Sequence, residues 1–150
     1  MFNGMTEKTI LLVEDNECDV FLTRRALAKL KIPHQLIVAK DGVEALDYLF
    51  GDQSAPQNAR PEVPDIVLLD LKLPRIDGLQ ILKQIRSDGT RQLLPVAIVT
   101  SSSEPEDIDA TKQLGATAYC VKPVDASKYI EMIDKLITDY LSSSQTIVQY

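Results

Sequence analysis

The chain alternates short, continuous apolar runs with longer stretches in which apolar residues recur at helical spacing. The run from Thr9 to Val13 has no polar face, which is typical of a parallel strand that is covered on both sides. In contrast, Ile130, Ile133 and Ile137 are spaced to lie on one side of a helix. The pattern predicts strands at residues 9–14, 35–39, 65–70, 96–100 and 117–121. It predicts helices at residues 17–30, 43–50, 79–87, 105–114 and 126–141.

Five consecutive strand–helix units predict an α/β domain with a doubly wound, five-stranded parallel sheet, because parallel strands are joined by right-handed crossovers. We expect this domain over residues 9–141, with a leader at residues 1–8 and a tail at residues 142–150. Residues 51–64 contain three prolines and predict an exposed loop that is long for a compact domain.

Polar side chains stand at the carboxyl ends of four of the predicted strands. Glu14 and Asp15 stand at the end of the first strand, Asp70 of the third, Thr100 of the fourth and Lys122 of the fifth. In a parallel sheet these positions lie at the carboxyl edge, where ligands bind. Each residue alone has an ordinary explanation, such as an acid that caps the next helix. Five of them at matching positions favour a functional site instead.

The carboxylates come together only if the first and third strands are neighbours, as they are in the strand order 2-1-3-4-5. Two carboxylates ~4 Å apart then repel by about 4 kcal/mol at an effective dielectric constant near 20. Such a group takes up a proton or recruits a cation, and oxygen ligands suit Mg²⁺. With the ammonium of Lys122 and the hydroxyl of Thr100 nearby, the set predicts a phosphoryl site in which Asp70 is the nucleophile.

Over residues 9–140 the chain resembles the CheY-like receiver domains of response regulators, which share the flavodoxin-like (βα)5 fold. The residues that carry this resemblance are Leu12–Asn16, Leu69–Pro74, Asp77–Gly78, Thr100–Ser101 and Lys122–Pro123. The resemblance implies that Asp70 accepts a phosphoryl group from a phosphohistidine of a sensor histidine kinase, while Lys122 and Thr100 contact the phosphoryl oxygens. The implied magnesium ligands are Asp15, Asp70 and the backbone carbonyl of Lys72, with Glu14 acting directly or through a water molecule. A cis Lys122–Pro123 bond is also implied, against a base rate of ~5–6% for bonds before proline.

The resemblance further implies a two-state switch. Tyr119 occupies the position of the family's switch aromatic residue, three residues before the lysine. Phosphorylation would draw Thr100 inward, the Tyr119 ring would fill the vacated space, and the surface of the fourth helix, fifth strand and last helix would change. The alternative is that Tyr119 only packs at the sheet edge. Lys72 lies two residues after the acceptor, where side chains influence dephosphorylation in this family.

Two features that distinguish this chain from CheY make it similar to the regulators that are paired with bacterial and cyanobacterial phytochromes. Those regulators are often dimeric. The two features are the long loop at residues 51–64 and the tail at residues 142–150, which contains Ile147, Val148 and Tyr150. We therefore expect a stand-alone receiver that forms a homodimer, receives phosphoryl groups from a kinase such as a phytochrome, and acts on a downstream protein target. Its own catalysis would be limited to self-phosphorylation and slow self-hydrolysis.

The composition of the chain argues against several classes of binding partner. The net charge of −6, from 16 basic and 22 acidic residues, argues against direct binding of nucleic acid. No apolar stretch approaches the roughly 18 residues of a membrane helix, so we expect a cytoplasmic protein without a membrane partner. Cys18 and Cys120 are too few for a disulfide framework and are expected to be buried apolar groups.

Three other functions use similar features. A phosphohydrolase of the haloacid-dehalogenase type has a second aspartate two residues after the acceptor, where this chain has Lys72. A degenerate receiver that only binds partners would lack the acceptor, a metal ligand or the lysine, and all are present. A flavin-binding flavodoxin would have a loop rich in threonine and glycine after the first strand. In this chain the corresponding residues are Glu14, Asp15, Asn16 and Glu17.

Overall fold

The computed structural model describes residues 7–51 and 62–141. The strands are β1 (Lys8–Val13), β2 (His34–Ala39), β3 (Ile66–Leu69), β4 (Val96–Thr100) and β5 (Ala118–Val121). The helices are α1 (Glu17–Leu27), α2 (Gly42–Phe50), α3 (Gly78–Ser87), α4 (Pro105–Gln113) and α5 (Ala126–Leu141). Every predicted strand and helix is present. The expected tail at residues 142–150, and most of the leader and of the loop at 51–64, lie outside the described residues.

The helix that differs most from its prediction is α1, which ends at Leu27 and not at residue 30. The Lys29 N–H donates to the Ala26 carbonyl at 3.3 Å, and the Leu30 N–H donates to the Leu27 carbonyl at 3.0 Å. These bonds span three residues instead of four, so the chain leaves the α-helix through a tighter turn.

The five strands form one parallel sheet in the order β2-β1-β3-β4-β5, which confirms the predicted order. β1 is a central strand, with Val13 paired to Ala39 of β2 and to Leu69 of β3. At the other side of the sheet, Thr100 of β4 is paired with Val121 of β5. The carboxyl ends of the strands therefore lie along one edge, where the polar residues that follow them can meet.

Helices cover both faces of the sheet, which explains the uninterrupted apolar strands. On one face, Leu11 and Val13 of β1 belong to the same buried cluster as Ile81 of α3. On the other face, Ile10 and Leu12 belong to a cluster with α1 and α5. Successive β1 residues thus enter two different cores, and neither side of the strand needs polar residues. Among the described helices, none combines the length and the apolar character needed to cross a membrane.

Cys18 is exposed, so the expectation that it is buried was wrong, and Cys120 is half-buried. The buried residues of α1 are Thr23, Ala26 and Leu27, and Cys18 lies off the side of the helix that they define. The sequence around a single cysteine near the start of a helix does not show which side of the helix the cysteine occupies.

A buried polar contact joins the two helices on the α1 and α5 face. The hydroxyls of Thr23 and Tyr129 lie 3.1 Å apart, and the Thr23 hydroxyl also donates to the Asp19 carbonyl at 2.8 Å. The Tyr129 side chain is 1% exposed. Burial raises the pKa of Tyr129 to about 12, although the contact with Thr23 opposes the rise.

We expect Tyr129→Phe to lower the free energy of unfolding by about 1 kcal/mol at neutral pH, because it removes one buried hydrogen bond. The pKa of an unfolded tyrosine is about 10, so the unfolded chain loses this proton first and stability falls as pH rises from about 10 to 12. This alkaline decline should be shallower in the variant. Urea unfolding of both proteins across this pH range checks both effects, and equal alkaline slopes would contradict the assignment.

Candidate functional site

The three predicted carboxylates lie together at the carboxyl edge of the sheet. Val13 and Leu69 are paired on neighbouring strands, so the residues that follow them emerge side by side. Glu14, Asp15 and Asp70 each offer an oxygen that lies within 4.8 Å of the others. Glu14 and Asp70 are buried, and Asp15 is exposed. One side of this acid cluster therefore faces the protein interior and the other faces solvent.

Backbone bonds hold the acid cluster in place. The Glu14 N–H donates to the Ala39 carbonyl of β2 at 2.9 Å, and the Asp70 N–H donates to the Val13 carbonyl of β1 at 3.1 Å. These bonds continue the pairing of the sheet one residue beyond β1 and β3. The Asn16 N–H donates to Glu14 Oε2 at 3.1 Å, and the Lys72 N–H donates to Asp70 Oδ1 at 3.3 Å. Both buried carboxylates are thus oriented by the backbone of the loop that follows them.

Lys122 reaches the acid cluster from the far side of the sheet. Its Nζ donates to Glu14 Oε1 at 2.6 Å and to Asp70 Oδ2 at 2.9 Å. The Lys122 N–H donates to the Thr100 carbonyl at 2.8 Å, which keeps the residue after β5 beside the end of β4. The predicted acids and the predicted ammonium therefore form one connected group.

A third partner of Lys122, Asp19, was missed by the sequence analysis. Lys122 Nζ donates to Asp19 Oδ2 at 2.8 Å. Asp19 lies in the first turn of α1, four residues after Asp15, which precedes the helix cap. That spacing was a usable signal, but it could not be distinguished from the ordinary excess of acidic residues in the first turn of a helix.

At both Glu14 and Lys122, burial and ion pairing shift the pKa in opposite directions. Burial raises the pKa of Glu14 to about 7, and the charge of Asp70 adds to the rise, while the hydrogen bond from Lys122 opposes it. Burial also disfavours the charge on Lys122, but the hydrogen bonds to Asp19, Glu14 and Asp70 outweigh it and raise the pKa of the ammonium. Lys122 is therefore a permanent cation, and Glu14 is a carboxylate whose charge depends on its cationic neighbours.

Thr100 and Tyr119 are connected through the loop after β4. The Ser102 N–H donates to Thr100 Oγ1 at 3.4 Å, and the Tyr119 hydroxyl donates to the Ser102 carbonyl at 2.8 Å. Thr100 and Ser102 are buried. Burial raises the pKa of the half-buried Tyr119. The sequence analysis missed Ser102, since nothing in its neighbourhood distinguishes it from Ser101 and Ser103.

Gly78 fixes the loop that carries the acceptor. Its N–H donates to the Leu71 carbonyl at 3.0 Å. A Cβ at this position would lie 2.4 Å from the Asp70 carbonyl oxygen, so only glycine lets α3 begin this close to β3. The side chain of the preceding residue, Asp77, caps α3 by accepting from the Gln80 N–H at 3.0 Å. The Asp77–Gly78 pair thus combines a helix cap with a close backbone contact.

The Lys122–Pro123 peptide bond is trans, like every other peptide bond among the described residues. The cis bond that the resemblance implied is therefore wrong for this structure. Trans is the more stable isomer before proline by about 0.5–1 kcal/mol, and the residues around this bond give no sequence signal against it.

The acid cluster fits a divalent metal ion. It supplies carboxylate oxygens, which are hard ligands, and Asp15 leaves it open to water, which Mg²⁺ retains in its coordination shell. Within residues 7–51 and 62–141, this is the one group of three or more acids, histidines or cysteines that converges in this way. When bound, the metal ion would neutralise charge on the oxygens of a phosphoryl group.

Comparison with known proteins shows the family of this chain. The model of the response regulator receiver domain matches residues 10–134, which is most of the chain. The chain belongs to the response regulator receiver family. Receiver domains are phosphoacceptor switches of two-component signalling. This membership confirms the resemblance inferred from the strand-end motifs.

Phytochrome regulators are among the relatives of this receiver. Rcp1 of a Synechocystis species is 31% identical, over 91% of this chain and 90% of Rcp1. The phosphorylated cyanobacterial phytochrome response regulator RcpA has a solved structure with a TM-score of 0.84 and 33% identity, covering 96% of this chain and 100% of RcpA. The Mn²⁺-bound form of Rcp1 has a TM-score of 0.82 and 30% identity, covering 95% and 99% of the two chains. This receiver therefore resembles regulators that were solved with a phosphoryl group or with a divalent metal ion.

Proposed function

We propose that this receiver accepts a phosphoryl group on Asp70 from a phosphohistidine of a sensor histidine kinase, with Mg²⁺ bound at Glu14, Asp15, Asp70 and the backbone carbonyl of Lys72. The observation that carries the proposal is the convergence of the acid cluster and the Lys122 ammonium at one edge of the sheet. The solved phosphorylated and Mn²⁺-bound relatives support it.

In the proposed reaction, an Asp70 carboxylate oxygen attacks phosphorus. The bond from phosphorus to the imidazole nitrogen breaks, the imidazole leaves with its electron pair, and an aspartyl phosphate forms. Lys122 lies within hydrogen-bonding distance of the attacking carboxylate, so its positive charge can offset the charge of the phosphoryl oxygens. Thr100 would donate its hydroxyl to one of those oxygens.

The same proposal includes a switch. If Thr100 turns towards the phosphoryl group, its oxygen leaves the Ser102 N–H, which lies 3.4 Å away. The Tyr119 hydroxyl is bound to the same Ser102 residue through its carbonyl, so the loop and the ring are mechanically linked. The surface of α4, β5 and α5 would then change and engage a downstream protein target.

The names of the relatives support a phytochrome as the upstream kinase, since both Rcp1 and RcpA are named response regulators and RcpA is named as a phytochrome regulator. Phosphotransfer from purified histidine kinases tests this choice. A phytochrome kinase should label the receiver within seconds to minutes, while unrelated kinases should label it much more slowly. Equal rates from all kinases would contradict the assignment.

The proposed function is tested with a small phosphodonor such as acetyl phosphate. With Mg²⁺, intact-mass spectrometry should show a single added phosphoryl group that is stable in acid and labile in base, as expected for an aspartyl phosphate. With excess chelator, the modification should be absent. Continuous release of phosphate from unrelated phosphomonoesters would instead indicate a phosphohydrolase.

We also propose that the protein forms a homodimer that phosphorylation strengthens, as the apolar last helix and the apolar residues after it predict. Sedimentation velocity at tens of micromolar, with and without phosphodonor, measures this directly. The expected result is a dimer that becomes more populated on phosphorylation. A monomer in both conditions would rule the dimer out.

A further inference from the structure

Lys122 has three carboxylate partners, but only two of them belong to the acid cluster. Glu14 and Asp70 are both members of the group that can hold a metal ion. Asp19, at 2.8 Å, lies outside that group, in the first turn of α1. Its side chain is 20% exposed, against 2% for Glu14. The ammonium therefore lies between two acids of the acid cluster and one carboxylate outside it.

The helix holds Asp19 firmly on both sides. Its N–H donates to Asn16 Oδ1 at 3.0 Å, in the cap of α1. Its carbonyl accepts from Thr23 Oγ1 at 2.8 Å, and Thr23 in turn contacts the buried Tyr129 hydroxyl. The backbone of Asp19 is thus fixed by the helix cap and by the packing of α1 on α5, which presents the carboxylate to Lys122 at a defined place.

The proposed function requires Lys122 to keep a carboxylate partner while a metal ion occupies the acid cluster. A divalent cation in the acid cluster would share the carboxylates of Glu14 and Asp70 with the Lys122 ammonium, and like charges this close repel strongly. A bound metal ion would therefore weaken the contacts of Lys122 with both carboxylates. A lysine that lost every partner would be a largely buried, unpaired charge, which is costly.

We propose that Asp19 is a positioning residue that holds the Lys122 ammonium beside the acceptor while Glu14 and Asp70 bind the metal ion. The ammonium then needs only a small movement to contact the phosphoryl group on Asp70. This inference rests on the proposed function, since it concerns the same metal and phosphoryl site. Asp19 itself touches neither the metal nor the reacting atoms.

The competing explanation is that Asp19 attracts the metal ion only through its negative charge. A double-mutant cycle separates the two, because an effect through Lys122 disappears when Lys122 is removed, whereas a pure charge effect remains. Mg²⁺ affinity is measured by calorimetry for the unmodified protein, Asp19→Asn, Lys122→Met and the double variant. Glu17→Gln removes the same charge from an exposed position of the same helix and is the matched control.

We expect Asp19→Asn to weaken Mg²⁺ binding by about fivefold in the unmodified background and by less than about twofold in the Lys122→Met background. Glu17→Gln should change the affinity by less than about twofold. Equal losses in both backgrounds would overturn the proposal, as would no loss in either. If the Lys122→Met protein does not fold, Asp19→Glu takes its place. It should restore Mg²⁺ affinity close to that of the unmodified protein, and failure to do so would also overturn the proposal.

Labelling by acetyl phosphate distinguishes this inference from the proposed function. If the unmodified protein is labelled with Mg²⁺ and Asp19→Asn is labelled at the same rate at subsaturating Mg²⁺, only the role of Asp19 is wrong. If the unmodified protein is not labelled at all, the proposed function is wrong. Urea unfolding of Asp19→Asn verifies that the folded state is retained.

Discussion

Asp70→Asn is expected to abolish phosphorylation. The substitution keeps the size of the side chain and an oxygen that can accept from the Lys72 N–H, but an amide oxygen is not a competent nucleophile towards phosphorus. The fold should survive, because Lys122 keeps its hydrogen bonds to Glu14 and Asp19. Incubation with acetyl phosphate and Mg²⁺, followed by intact-mass spectrometry, should show the added phosphoryl group in the unmodified protein and none in the variant.

Asp109→Asn is the matched control for this experiment. It makes the same chemical change at an exposed position on α4, so it should be labelled like the unmodified protein. Equal labelling of the Asp70→Asn variant and this control would refute the assignment of Asp70 as acceptor. Urea unfolding of both variants verifies that any loss of labelling arises from chemistry and not from unfolding.

Gly78→Ala is expected to cause a large loss of stability, because the added methyl group would clash with the backbone of the acceptor loop. Its Cβ would lie 2.4 Å from the Asp70 carbonyl oxygen and 2.8 Å from the Leu71 Cα. Both atoms belong to the backbone between β3 and α3, so neither can move without displacing the acceptor loop. We expect the free energy of unfolding to fall by about 3 kcal/mol and the labelling rate of Asp70 to fall with it.

Gly89→Ala provides the control, because a Cβ there meets no atom within 4 Å. That substitution should leave stability unchanged or raise it by up to about 1 kcal/mol, since it restricts the unfolded chain. Urea unfolding of the two variants gives the comparison. Similar unfolding free energies would show that the loop between β3 and α3 adapts to a side chain, and the close contact at Gly78 would then have no role.

The sheet could be predicted because its strands are buried on both faces. In β1, Ile10 and Leu11 enter different cores, and the resulting apolar runs are easily distinguished from the helices between them. The site could be predicted for the same reason. Once the strands were assigned, the parallel order required Glu14, Asp70 and Lys122 to follow them at one edge.

What escaped prediction depends on contacts that leave no local pattern. Asp19 meets Lys122 across a separation of 103 residues, and its position in a first helical turn already has a sufficient local explanation. Ser102 contributes its backbone N–H and carbonyl to Thr100 and Tyr119, and backbone groups do not depend on residue type. The early end of α1 at Leu27 follows from the turn geometry and not from a helix-breaking residue.

The most direct test of the account is to locate the phosphoryl group in the unmodified protein. Borohydride reduces an aspartyl phosphate to homoserine, which tandem mass spectrometry identifies at its residue. After incubation with acetyl phosphate, we expect homoserine at Asp70 alone, present with Mg²⁺ and absent with chelator. Homoserine at Asp15 or at any other aspartate, or equal modification of Asp70 without a divalent metal ion, would contradict a metal-dependent acceptor in the acid cluster.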